Sequence, residues 1–119
     1  DVEIFARNLH EMNYMTDRDW KTYKDLFRNM IQFLRKPDLI IYLRASTDTL
    51  LSRIKNRDRD FERDISPEYL HSLNISYDNW INRCKNQQVL IIESDRFNIF
   101  EDKKQLNNIL EQIEKKLTI

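Results

Sequence analysis

Trp20, Tyr23, Phe27, Met30, Ile31 and Leu34 recur at spacings of three and four, with charged and amide side chains between them. That spacing puts them on one side of a helix. It predicts a long amphipathic helix over 17–35, with Thr16 as N-cap and Pro37 as the stop. The segment before it, DVEIFARNLHEM, already carries a helical pattern at its first residues. The pattern changes at DLIIYLR, residues 38–44. A short, β-branched, nearly continuous apolar run of this kind reads as a strand covered on both faces. Ser46 then caps a helix running from about 47 into the high fifties through Leu50, Leu51 and Ile54. Ser66, with Pro67 at the first helical position, starts another. Its Tyr69 or Leu70, Leu73, Tyr77, Trp80, Ile81 and Cys84 again follow helical spacing. VLII at 89–92 reads as a second buried strand. Residues 102–117 form a closing helix with Leu106, Ile109, Leu110, Ile113 and Leu117 on one face.

Helix, helix, strand, helix, helix, strand, helix is an α/β order that implies a parallel sheet. Two strands make a poor sheet, so further strands are expected outside this sequence. Composition sharpens that expectation. The 119 residues contain no glycine, where average usage of about 7% would give roughly eight. A Walker A loop or a dinucleotide fingerprint needs backbone amides to approach phosphate without a Cβ in the way. Neither can lie in this chain. The sequence also begins without methionine, inside a helical pattern. The expectation is that 1–119 is the C-terminal part of a single domain whose front part lies elsewhere.

Charge excludes other classes. Twenty Lys and Arg balance twenty Asp and Glu, so no global positive field attracts nucleic acid or an anionic membrane. No apolar run approaches the roughly 18 residues of a membrane span. A soluble, intracellular, cytoplasmic protein is expected. Cys84 stands alone and cannot form an internal disulfide. His10 and His71 have no metal-ligand partner at useful spacing, and no metal ligand is assigned. Trp20 and Trp80 read as core anchors.

Within this balance, residues 53–64 concentrate five basic and four acidic side chains. Arg53 and Arg57, four apart in a helix, project from one face, and Arg59 follows where the chain leaves the helix. Three guanidiniums delivered this way can fork onto several phosphate oxygens at once. Asp58, Asp60 and Glu62 would repel a polyanion, yet they could accept bonds from sugar hydroxyls. On charge pattern alone, a solvated surface laced with weak ion pairs is the simpler explanation of the segment.

Four blocks in order, DVEIFARNLHEM, PDLIIYLRAS, RIKNRDRDFE and SPEYLHSLNISYDNWI, resemble the C-terminal half of the deoxynucleoside kinase family, which includes deoxycytidine, deoxyguanosine and bacterial deoxyadenosine kinases. The resemblance spans the whole chain. It implies a P-loop kinase-like parallel sheet with flanking helices, truncated so that the P-loop half is absent. It implies ATP-dependent phosphorylation of a deoxynucleoside 5′-hydroxyl in nucleoside salvage, with ATP and Mg²⁺ as cofactors and the metal ligands outside this chain. The family's R-x-x-x-R-x-R-x-x-E lid is matched by Arg53, Arg57, Arg59 and Glu62. By resemblance the arginines meet the phosphates of ATP and the charge developing in transfer, and Glu62 approaches the sugar 3′-hydroxyl. The lid residues are expected to face one open cleft. Asp1 and Phe5 stand where the family has an acid bonding a base edge and, four positions on, a phenylalanine stacking on the acceptor base. Val2 departs from the arginine common at its position. SDRFNIF, residues 94–100, falls where the family places the loop around the donor adenine, although a plain strand-to-helix loop explains it as well. The family's usual dimer is an expectation for the parent protein only.

The P-loop, the carboxylate base and its neighbouring arginine precede this stretch in the family, so the 119 residues alone are expected to have little or no catalysis. Two alternatives stay open: a nucleoside monophosphate kinase relative, and a non-catalytic helical interaction module whose arginines are only solvated.

Overall fold

Side-chain caps start four helices, three of them at Thr16, Ser46 and Ser66, the positions the sequence marks for them. In the computed structural model, which describes residues 2–57, 65–98 and 101–118, Thr16 Oγ1 accepts from the Asp19 amide at 3.1 Å. Ser46 Oγ accepts from the Thr49 amide at 3.2 Å, Ser66 Oγ from the Tyr69 amide at 3.1 Å, and Asp102 Oδ1 from the Gln105 amide at 3.0 Å. Each satisfies an amide that the first turn leaves unpaired, at about 1 kcal/mol apiece. The helices that follow are α2 (Asp17–Ile31), α3 (Thr47–Arg57), α4 (Pro67–Arg83) and α5 (Lys103–Leu117). Ahead of them a π-helical turn, Val2–Ala6, runs into the short α1, Arg7–Glu11. Asn13, with φ 62°, turns the chain out of α1. It is the one left-handed residue among those described, and asparagine tolerates that region better than other residues with a Cβ.

The described residues group into two compact units. In one, residues 2–36 pack with 65–83. The π-helical turn meets α1, α2 and α4, burying Ile4, Ala6, Leu73 and Ile81. Asn8 is fully buried here, 0% exposed, and Ser72 Oγ donates to its Oδ1. Helix α2 ends at Ile31, before the expected 35, because the Phe33 and Leu34 amides bond back to Met30 and Ile31 in tight turns. Its stripe is less covered than the spacing suggests. Trp20 and Phe27 are half-buried, whereas Met30, Ile31 and Leu34 are exposed.

The second unit comprises residues 37–57, 84–98 and 101–118. Strands β1 (Ile40–Arg44) and β2 (Val89–Glu93) pair in parallel from Ile40 opposite Val89 to Arg44 opposite Glu93. Leu90, Ile92, Phe97 and Ile109 form the core, with Leu39, Leu106 and Ile113 packed against it. Both strands were expected to be covered on both faces. In the structure Ile41, Leu43 and Ile91 are exposed, because a two-stranded sheet has too few neighbours to cover both faces of either strand.

The contrast along α5 is testable. Ile109 is buried and Leu110, next to it, is exposed. Ile109→Ala is expected to cost about 2 to 5 kcal/mol, and Leu110→Ala less than about 1 kcal/mol. Urea unfolding of the 119-residue chain measures both.

Candidate functional site

The carboxyl ends of the two parallel strands carry the polar groups of the second unit. The ladder continues one residue past the strands, where the Ser94 amide donates to the Arg44 carbonyl at 2.8 Å. Ser94 is buried, and its hydroxyl donates to the same carbonyl at 3.0 Å. Arg53, half-buried on α3, donates from Nη1 to Ser94 Oγ at 3.2 Å and from Nη2 to the Ser94 carbonyl. The next residue is tied down as well: Asp95 Oδ1 accepts from the Ser46 amide, at the head of α3, at 2.8 Å. At the outer edge of the sheet end, Arg44 Nε donates to Glu93 Oε1 across the strand pair at 2.7 Å.

Of these groups Arg53, Ser94 and Asp95 line an open cavity of about 800 Å³. Its walls combine the apolar Leu43, Ala45 and Leu50 with Arg53, Asn56, Asp95 and Arg96. The exposed Asp95 carboxyl is held below its ordinary value, first by the Ser46 amide, then by the Thr49 and Ser46 hydroxyls, with Arg53 adding its charge. The carboxyl ends of parallel strands are where α/β sheets bind ligands. Apolar walls with a few fixed polar groups are the usual make-up of such a site.

Of the lid residues named from the sequence, Arg53 lines this cavity. Arg57 ends α3, exposed and one turn further on, and is not among the lining residues. Arg59, Glu62 and Asp1 lie outside the described residues. Phe5 sits in the π-helical turn of the first unit, 38% exposed. Its ring meets Tyr77 of α4 edge to face, centroids 6.0 Å apart at 84°. Burial pushes the Tyr77 phenol above its ordinary value. In the same unit His10 stacks on Trp20 at 5.4 Å and its Nε2 lies 2.6 Å from Asp17 Oδ1. The structure thus gives His10 a local structural role and leaves Phe5 partly exposed.

From the sequence, Ser94 and Asp95 are named only as the start of the 94–100 loop, with no role for either side chain, and Asn8 is not singled out. Their partners stand 41, 49 and 64 positions away, beyond any periodicity. The sequence signals for the first two are their place directly after a strand and the resemblance of 94–100 to the family's donor-adenine loop.

The family model for deoxynucleoside kinases matches residues 1–118. The chain belongs to the deoxynucleoside kinase family. It is 31% identical over 115 residues to the deoxyadenosine/deoxycytidine kinase of Bacillus subtilis (strain 168), covering 95% of this chain and 53% of that protein. It is 49% identical over 74 residues to the deoxyadenosine kinase of Dictyostelium discoideum, covering 62% of this chain and 30% of the relative. Among solved structures, the deoxyadenosine kinase of M. mycoides with bound dCTP superposes with a TM-score of 0.83 at 28% identity, over 95% of this chain and 59% of that one. The α/β architecture with a small parallel sheet is therefore that of a P-loop kinase, and the chain spans about half the length of the Bacillus subtilis relative and 59% of the M. mycoides structure.

Asp95 gives the site a pH signature. Its folded carboxyl binds a proton less readily than the unfolded one, so it adds stability above its ordinary pKa of about 4. That stability is lost as pH falls through the lower folded value. Asp95→Asn is expected to lower stability near neutrality. The gap from the unmodified chain should close as pH falls below about 4, read from unfolding free energies across an acid series.

Proposed function

We propose that this chain forms part of an ATP-dependent kinase that phosphorylates the 5′-hydroxyl of a deoxynucleoside in a salvage reaction, and that residues 1–119 belong to one kinase domain. The observation that carries this reading is Arg53, held by α3 in a cavity at the carboxyl ends of two parallel strands, in a chain matched by the deoxynucleoside kinase model over residues 1–118. Among the described residues this guanidinium donates to a hydroxyl and a carbonyl, uncharged acceptors that leave its positive charge for a phosphate. The apolar wall of Leu43 and Leu50 suits the rest of a nucleotide. The donor set therefore fits ATP, which supplies the transferable phosphoryl group when bound.

In this reading Arg53, Arg57 and Arg59 contact the donor phosphates and stabilise the charge that spreads over the transferring group. Glu62 accepts a bond from the sugar 3′-hydroxyl. Phe5, partly exposed and packed against Tyr77, serves as a platform for the acceptor base, and Asp1 bonds the base edge. Because the chain contains no glycine, a phosphate-cradling loop for this reaction is supplied from outside the 119 residues. Among the described residues no group of three or more His, Cys, Asp or Glu side chains could hold a metal ion, so no residue here is assigned to Mg²⁺. No helix among the described residues is long and apolar enough to cross a membrane.

Two measurements test the reading. In a protein joining this chain to a GxxxxGK[ST] loop half, Arg57→Ala is expected to cost roughly 2 to 5 kcal/mol of transition-state stabilisation, its share of the effect of an arginine finger. A kcat/KM within threefold of the parent removes Arg57 from the reaction. Incubated by themselves with ATP, Mg²⁺ and deoxyadenosine, deoxyguanosine or deoxycytidine, the 119 residues are expected to form no monophosphate. Clear product would place the whole catalytic apparatus within them.

A further inference from the structure

Two features set the Arg53–Ser94 contact apart from an ordinary surface contact. Ser94 is only 5% exposed, and its hydroxyl is used in both directions, donating to the Arg44 carbonyl and accepting from Arg53. A hydroxyl committed in this way cannot rotate without losing one of its two bonds. Its carbonyl receives the second guanidinium nitrogen. Two parallel N–H groups on two acceptors of one residue define the plane of the guanidinium, which a single contact does not. Nearby, Asp95 is close enough for the two charges to interact, yet its Oδ1 is occupied by the Ser46 amide. Among the described lining residues Asp95 is the one carboxylate, and it is tied to the head of α3, while the uncharged groups of Ser94 take the arginine.

We propose that Ser94 is a positioning residue for the anion site: it presents two uncharged acceptors at the cavity wall, fixing the Arg53 guanidinium in one orientation with its charge unspent for phosphate oxygens. The inference rests on the donor-nucleotide reading of the cavity and deepens it. A carboxylate in place of Ser94 would hold the arginine more tightly and cancel its charge, and a partner lacking acceptors would leave it to sample rotamers or fold onto Asp95. Ordering a long side chain before the ligand arrives removes that cost from binding. Because Ser94 also completes the β1–β2 ladder, the arginine is referenced to the sheet rather than to its own helix alone.

The test uses the 119-residue chain, with inorganic tripolyphosphate and MgATP as probes in calorimetric titrations. Ser94→Ala is expected to weaken tripolyphosphate binding roughly three- to tenfold, the cost of ordering one long side chain on binding. Ser94→Thr, which keeps the hydroxyl, is expected to restore it. Nitrogen-15 spectra of the arginine Nε–H groups give a readout that does not depend on either variant folding. In the unmodified chain the Arg53 signal, identified by its loss in Arg53→Lys, should be resolved and should move on adding tripolyphosphate, while the Ser94 amide signal stays in place. Equal tripolyphosphate affinity in the unmodified chain and Ser94→Ala, or a Ser94→Thr as weak as Ser94→Ala, overturns the role of Ser94 and leaves the donor reading standing. So does binding without movement of the Arg53 signal. Failure of the unmodified chain to bind either probe overturns the donor reading and this inference with it.

Discussion

The bond from the Ser94 amide to the Arg44 carbonyl governs the geometry of the candidate site. Parallel pairing sets Arg44 opposite Glu93 at the last rung, and this bond carries the pairing one residue beyond it. Ser94 is thereby fixed on the β1 end, where its hydroxyl and carbonyl meet Arg53. Asp95 follows directly, and its carboxylate accepts from the amide of Ser46. A slip of one residue between the strands would exchange the two faces, turning Ser94 away from α3 and breaking both links. The apolar pairing of the strands and the placement of the charged groups are thus one constraint.

The absence of glycine shapes both the fold and the chemistry. Where the chain leaves α1 in a left-handed turn it uses Asn13, and its helices begin on serine, threonine and aspartate caps rather than on glycine-rich loops. Such a chain cannot bring bare backbone amides around a triphosphate. What it offers an anion instead is side-chain charge, and charge on a long side chain is useful only if something orients it. Asn8 and Ser72 meet the corresponding need in the other unit, bonding α1 to α4 beneath the turn that carries Phe5. A fully buried amide with a hydroxyl partner keeps two helices in register at little net cost in stability.

Apolar surface remains on each unit. Met30, Ile31, Phe33 and Leu34 are exposed at the end of α2, and Ile41, Leu43 and Ile91 on the two-stranded sheet. Contiguous apolar surface of this kind is unusual on a self-sufficient monomer. It accords with a chain that spans about half the length of the Bacillus subtilis relative, and it lowers the stability that the small core around Ile92 and Ile109 can provide.

Local chemistry made much of this legible in advance. The caps Thr16, Ser46 and Ser66, the β-branched runs around Ile40 and Leu90, and the apolar face of α5 are short-range signals, set by backbone sterics and periodicity within a few residues. The family, too, was readable from four blocks in order, because each block is contiguous. Tertiary structure decided the rest. That α2 would leave its stripe exposed depends on what packs against it, and that Arg53 would be held by Ser94 depends on a meeting of residues 41 positions apart. A sequence shows which groups can donate and accept, since those are properties of single residues. Which of them meet is fixed by strand register and helix packing, which exist only once the chain has folded.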